Sequence, residues 1–331
     1  MILVGDVGAT KTVLQLIETV TGVPQLRFER RYADSEFADF DRLLARFLRE
    51  AVEQGPGAGP LALAVLGVAA PVSAERVTLT NRSWTIDAPG LAAAFGIGRV
   101  RLINDFAAAA HGIGMLADSD LLTLQRGEAV ERAPRLVLGA GTGLGIAYLI
   151  WQGARYEIVA GEGGNACFAP SSELLADLWR HLQQRSGHVR VEDVVSGAGL
   201  ANIYAFLRER GAAPESPQLA QALDREDQPA AIAAFAMERG DALAGLALDV
   251  FIEAYGATAG DHALAVMARG GVYVAGGIAP RIIERVQRGG FLSAFQAKGR
   301  FKPAMESIPL RVVMNERLGL LGAAAVAIQE W

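Results

Sequence analysis

Two runs in this chain share one layout, and that layout narrows the folds open to it. In the first, MILV, GDVGATKT and VLQLIETVTG (1–22) read as strand, glycine turn, strand; RLVLGAGTGLGIAYLI (135–150) reads the same way. Apolar and β-branched residues on both flanks predict hairpins, not strand-to-helix turns. Each turn nearly spells something else. Gly5, four residues, then Thr10, Lys11 and Thr12 would be a P-loop if Thr10 were glycine and a helix followed. GAGTGLG misses the dinucleotide fingerprint by one residue, and again a strand follows.

Two such units predict two similar α/β domains facing each other, with turns able to clamp a phosphate from both sides. Gly5 and Gly8 let the backbone come close to a phosphate and offer N–H donors. Thr10 adds a hydroxyl. Lys11 adds a charge, and it suits a solvated side chain equally well. Asp6, read as part of the turn, is an acceptor suited to Mg²⁺ or its waters. An ordinary hairpin turn is the other reading of the same stretch.

The rest of the chain alternates strands with helices. FADFDRLLARFLREAVE (37–53) puts Phe37, Phe40, Leu44, Phe47 and Leu48 on one helical face. LALAVLGVAAPV (61–72) is a buried strand, VTLTNRSWTID (77–87) a strand and loop, and RVRLIND (99–105) a strand ending at Asn104 and Asp105. Residues 171–269 are mostly helical in pattern, with a polar, proline-bearing surface loop and a short helix at 211–230. GGVYVAGGIAPRI (270–282) reads as strand, glycine turn and helix; RLGLLGAAAVAIQEW (317–331) is a helix with Leu321, Ala325 and Ile328 on one face.

Composition removes several classes of function. The chain has 331 residues, 51% of them hydrophobic and 20% charged, enough for two domains with large cores. A net charge of −5 argues against nucleic acid or an anionic membrane as the main partner. The one cysteine, Cys167, has no internal disulfide partner, and histidines at 111, 181, 188 and 262 do not make a zinc constellation. No signal peptide and no uninterrupted apolar span is read, so the expected compartment is the cytoplasm.

Eight motifs in order give the chain a family resemblance: GDVGATK, LINDFAA (102–108), GAGTGLG (139–145), GEGG followed by FAP (161–170), GHVRVEDVVSGAGL (187–200), GGVYVAGGIAPR (270–281), KGRF (298–301) and LGLLGAA (318–324). The chain resembles the bacterial glucokinases that use ATP and lie outside the ROK group. The absence of the cysteine cluster of ROK kinases points the same way. These proteins belong to the sugar kinase, Hsp70 and actin superfamily. The resemblance implies a two-domain, actin-like ATPase (ribonuclease H-like) α/β fold with a central cleft. It implies a small domain of 1–112 plus 315–331 and a large domain of 113–314, with the last helix returning to the first domain.

The resemblance also implies the chemistry: transfer of the γ-phosphate of ATP to the 6-hydroxyl of glucose. Phosphoryl transfer to a hydroxyl needs a carboxylate to accept its proton, and donors with Mg²⁺ to hold the phosphates. Asp105, at a strand end, is the expected general base, with Asn104 bonding sugar hydroxyls. From the residues alone, an Asn-Asp pair before FAAAAHGI reads first as a helix N-cap, and it is the resemblance that turns the reading to catalysis. Glu162 and Glu192 are implied sugar ligands, since a carboxylate accepts from two neighbouring hydroxyls. Asp6, Gly8, Thr10 and Lys11 form the implied first phosphate loop, with Asp6 toward Mg²⁺, directly or through water. Gly139, Gly141, Thr142 and Gly143 form the second, and Gly276 and Gly277 approach the adenosine.

The chain departs from the family pattern at one edge of the sugar shell. Asn165 stands where the family has a sugar-contacting histidine, and Ala166 and Cys167 are less polar than expected. In the first loop Ala9 replaces a usual glycine and Lys11 a common asparagine. Asparagine keeps a donor and an acceptor but is shorter and never charged. Three expectations stay open: a glucokinase with weakened or shifted sugar preference, a kinase of another hexose or amino sugar, and a sugar-binding regulatory relative without turnover. The expected partners are a hexose and a second copy of the chain, with no nucleic acid and no membrane.

Overall fold

In the computed structural model the described residues are 1–8, 10–20, 23–55, 59–72, 74–79 and 83–330. They fall into two compact units, Met1–Asp118 with Asn315–Trp331, and Ser119–Met314.

The first unit is built on strands β1 (Ile2–Val7), β2 (Lys11–Val20), β3 (Val23–Ala33), β4 (Leu63–Val68) and, after a small hairpin of β5 (Arg76–Thr78) and β6 (Thr85–Asp87), β7 (Val100–Asn104). The sheet runs β3-β2-β1-β4-β7. The first three strands form an antiparallel meander, and β4 and β7 join parallel to β1. Both faces are covered, so the central strands are apolar throughout. Leu3 and Val7 of β1, with Ala64, Leu66 and Val68 of β4, pack with helix Phe40–Gln54 on one face. Ile2, Val4, Leu63 and Val65 alternate to the other face, against helices Asp105–Gly112 and Leu318–Glu330.

The C-terminal helix shows the expected face only in part. Ala325 is buried, but Leu321 and Ile328 are half-buried, and Leu320, Ala323, Ala324 and Ala327 face the sheet core. The reason is a second contact on its flank. A side chain at Gly322 would overlap the carbonyl of Ala108, so the two helices touch backbone to backbone. A helix packed on two sides has no single apolar stripe. Gly5 is also reassigned. It sits buried inside β1, where a Cβ would lie 2.7 Å from Leu14 and Leu66 side-chain carbons, so its smallness serves sheet packing and not phosphate approach.

The second unit repeats the first. Strands β8 (Leu121–Gln125), β9 (Arg135–Ala140), β10 (Leu144–Gln152), β11 (Arg155–Gly161), β12 (Gly271–Ala275) and β13 (Leu310–Val313) form a sheet ordered β11-β10-β9-β12-β13-β8. β9, β10 and β11 are an antiparallel meander, and β12 and β13 join parallel to β9. Apart from the extra edge strand β8, this is the strand order of the first unit. The two glycine hairpins, β1–β2 and β9–β10, occupy the same place in each sheet. Between β11 and β12 lie helices Glu173–Ser186, Gly197–Glu209, Pro217–Leu223, Gln228–Glu238 and Ala242–Val266. The last is 25 residues long and apolar, and 78% of its most apolar window is buried inside the protein.

Candidate functional site

In the first unit the chemistry-bearing residues gather at the ends of β1 and β7. The turn after β1 is closed by the Gly8 N–H donating to the Lys11 carbonyl at 3.0 Å. That N–H is engaged within the turn. The Thr10 carbonyl accepts from the Asp34 N–H at 3.0 Å, and the Thr10 and Lys11 side chains are exposed. Ala9 lies outside the described residues. Asp6 is not on the turn: it is in β1, opposite Val13, with its carboxylate against the start of the C-terminal helix at Gly319. Burial pushes its pKa up, the Lys11 charge pulls it back, and Asp34 adds to the rise.

Asn104 and Asp105 stand where β7 becomes helix Asp105–Gly112. The Asn104 amide oxygen accepts from the Phe106 and Ala107 N–H groups, both at 3.0 Å, so the N-cap reading holds. Its Nδ2 donates to the Ala70 carbonyl at 3.3 Å and to Asp105 Oδ1 at 3.1 Å. Asp105 Oδ1 also accepts from the Phe106 N–H at 2.8 Å. Asn104 thus orients the Asp105 carboxylate while capping the helix that carries it.

In the second unit the expected residues converge around Leu144, the first residue of β10. The β9–β10 turn is closed by Gly141 N–H to Gly143 O at 2.9 Å, and Gly141 O accepts from the Gly197 N–H at 2.8 Å. Thr142 is exposed at its tip, and Gly139 is buried in β9. The Leu144 N–H points to Glu192 Oε2 at 3.4 Å, while Gly164 of the GEGG run packs on the Leu144 backbone with no room for a side chain. Gly276, at the end of β12, has φ +82°, and a Cβ there would lie 2.5 Å from Ala140 O. Only glycine suits that position. Nothing stands within 4 Å of where side chains on Gly141 and Gly277 would begin. The turns after β9 and β12 therefore leave open space at neighbouring strand ends of one sheet, where a ligand could come close to the backbone. Among the described residues no group of three or more acidic, histidine or cysteine side chains is placed to hold a metal ion.

Glu162 and Asn165 lie on the loop after β11, both exposed, with Asn165 Nδ2 donating to Glu162 Oε2 at 3.3 Å. This loop is zipped to residues 189–191: the Phe168 N–H donates to Val189 O and the Val191 N–H to Ala166 O, both at 2.9 Å. Sequence reasoning missed three members of the site. Arg190 bonds Asn165, Glu192 and Asp193; its spacing to Glu192 and Asp193 was the available signal. Tyr255, buried in helix Ala242–Val266, accepts the Ala140 N–H at 3.0 Å and so braces the end of β9. His262, distant in sequence from the GEGG loop, lies behind it: a Cβ on Gly163 would be 3.4 Å from His262 Cε1. His262 Nδ1 and Tyr148 Oη are 2.6 Å apart. Burial pulls the His262 pKa down, partly offset by Asp261.

Two sheets of one strand order, each with a glycine hairpin at the same place, define the two-domain, actin-like ATPase fold, and comparison with known proteins places the chain among its sugar kinases. A solved glucokinase from an Antarctic psychrotroph is similar at a TM-score of 0.82 and 28% identity, covering 100% of this chain and 99% of that one. A ROK family glucokinase from Streptomyces griseus, solved with glucose and AMPPNP, shares the fold at a TM-score of 0.65 and 20% identity, covering 99% of each chain. Within that class the chain belongs to the glucokinase family, whose model matches residues 3–330. The glucokinase of Nostoc punctiforme is 40% identical over 342 residues, 99% of this chain and 98% of the relative.

Proposed function

We propose that this chain is a glucokinase that transfers the γ-phosphate of ATP to the 6-hydroxyl of glucose, giving glucose 6-phosphate and ADP. The observation that carries the reading is Asp105, a carboxylate held by Asn104 and the Phe106 N–H at the mouth of a β-strand, in a chain of this family. Asp105 takes the proton of the 6-hydroxyl as its oxygen bonds to the γ-phosphorus and the bond to the β-phosphate oxygen breaks. Asn104 is foremost the residue that orients Asp105. Its direct bond to a sugar hydroxyl requires one of its two long donor contacts to give way.

Glu162 and Glu192 supply acceptors for the remaining hydroxyls, and Asn165 a donor. Gly141, Thr142 and Gly143 take phosphate, with Gly139 buried in the strand that carries their turn, and Gly276 and Gly277 take the adenosine. Asp6, Gly8, Thr10 and Lys11 serve the phosphates and Mg²⁺, with Gly8 shaping the turn. When bound, Mg²⁺ neutralises charge on the β- and γ-phosphates. The S. griseus complex, which holds glucose and AMPPNP in the same fold, supports this choice of ligands. We further infer a homodimer and a cytoplasmic location.

The test is ADP release from ATP and Mg²⁺ over glucose, mannose, fructose, glucosamine and N-acetylglucosamine, with Asp105→Asn as control. Glucose turnover lost in the control supports the reading. Clear preference for another sugar moves the specificity to the altered Asn165 edge. Binding of nucleotide without turnover of any sugar refutes the enzyme.

A further inference from the structure

Arg190 sits where the two loops that carry the sugar-binding candidates of the second unit meet. Its backbone pairs with Cys167 as an isolated antiparallel bridge, which fixes where the side chain starts. Its guanidinium plane is then set by Asp193: Nε donates to Oδ2 at 3.2 Å, Nη2 to Oδ1 at 2.6 Å, and the Arg190 backbone N–H to Oδ2 at 2.8 Å. This two-pronged grip leaves Nη1 aimed at two further groups, Glu192 Oε1 at 2.6 Å and Asn165 Oδ1 at 3.1 Å.

The chemistry of those partners fixes the asparagine. A guanidinium only donates, so the Asn165 atom facing it is the oxygen; a carboxylate only accepts, so the atom facing Glu162 is the nitrogen. Asn165 therefore has one orientation, and its second Nδ2 hydrogen is left to offer. Glu192 is held between Nη1 and the Leu144 N–H. One side chain thus orients Asn165 and Glu192 directly, and Glu162 through Asn165.

We propose that Arg190 is a positioning residue for the sugar edge of the site, making the short, uncharged Asn165 an effective hydroxyl partner. The inference rests on the glucokinase reading above. Arg190 holds groups that bind substrate in ground and transition states alike, so its loss should fall on KM and spare kcat.

The experiment is a double-mutant cycle read by glucose KM and kcat in Arg190→Ala, Asn165→Ala and the pair, with Arg190→Lys as a second variant. Arg190→Ala is expected to raise glucose KM about ten- to a hundredfold with kcat within about threefold, the loss of one or two well-placed hydrogen bonds. Asn165→Ala alone should raise it roughly tenfold, but by less than about twofold once Arg190 is gone, since the oriented amide no longer exists to lose. Lysine keeps the charge without the fork, so Arg190→Lys should fall between. An Arg190→Ala KM within about twofold of the unaltered protein, or single effects that simply multiply, overturns the proposal. If the alanine variant does not fold, Arg190→Lys decides: a raised KM supports the role and an unchanged KM ends it. Failure of the unaltered protein to phosphorylate glucose refutes the functional reading, whereas turnover with an unmoved KM in the variants refutes this inference alone.

Discussion

Alanine placed at three glycines of the GEGG run should give three different proteins. At Gly161, the last residue of β11, nothing lies within 4 Å of an added Cβ. At Gly163 the Cβ would meet the Ile146 Cδ1 methyl at 2.9 Å, the end of a side chain that can turn aside, and sit tightly at 3.3 Å from Ile146 Cβ and 3.4 Å from His262 Cε1. At Gly164 it would overlap the Leu144 carbonyl oxygen, and lie 3.1 Å from Leu144 Cβ. Leu144 cannot yield, because it is buried and laddered to Ala140. The loop must retreat instead, by about 1 Å to restore ordinary contact distances. That retreat stretches the Asn165 N–H bond to Glu162 O, now 2.9 Å, and breaks the 3.3 Å side-chain bond between the same residues. Overpacking of this kind costs about 1–3 kcal/mol, a drop of roughly 2–4 °C in Tm for each kcal/mol in a domain of this size. Displacing Glu162 and Asn165, the side chains proposed to face the sugar, should raise glucose KM about ten- to a hundredfold. Thermal melts and steady-state glucose kinetics on the three variants check it. Gly161→Ala should match the unaltered protein, Gly163→Ala should be mildly affected and Gly164→Ala strongly. Equal behaviour of Gly161→Ala and Gly164→Ala would refute the steric argument.

Other perturbations probe other parts. Asp105→Asn keeps the size of the side chain but removes the base; kcat should fall by about a hundredfold or more with sugar KM nearly held, as single-turnover and steady-state rates will show. Gly276→Ala meets both the left-handed backbone and the Ala140 carbonyl, and should raise ATP KM severalfold while glucose KM stays put. His262 is held neutral in the fold by burial, so between its lowered pKa and the ordinary value near 6.5 the unfolded chain binds the extra proton. Stability should therefore rise with pH through that window and fall on acidification, by at most about 1.4 kcal/mol per pH unit from this group. Denaturant melts from pH 5 to 7.5 should show that slope reduced in His262→Asn.

What was legible in the sequence was local. The glycine hairpins were readable because MILV, VLQLIETV and the flanks of GAGTGLG are strand-like within ten residues of each turn. Asn104 was readable as an N-cap for the same reason, and the structure makes capping and orienting Asp105 one act. Asp6 was misplaced onto the turn because strand ends are marked only weakly by composition, and β1 runs one residue past it. The buried face of the C-terminal helix was misjudged because a flank packed through Gly322 leaves no stripe of large residues to read. The bond from Arg190 to Asn165 and the place of His262 were missed because those partners are remote in sequence: Asn165 is 25 residues from Arg190, and Tyr148 is 114 from His262. Spacing along the chain cannot register a bond made by two loops meeting.

The most direct measurement is the identity of the product. Carbon-13 glucose, ATP and Mg²⁺ would be incubated with the protein and with Asp105→Asn, and the sugar followed by ¹³C and ³¹P NMR. Phosphate is expected on carbon 6, with one ADP formed per sugar and almost none with the variant. Phosphate on another carbon, ATP hydrolysed without sugar phosphate, or full activity in Asp105→Asn would contradict the proposed reaction.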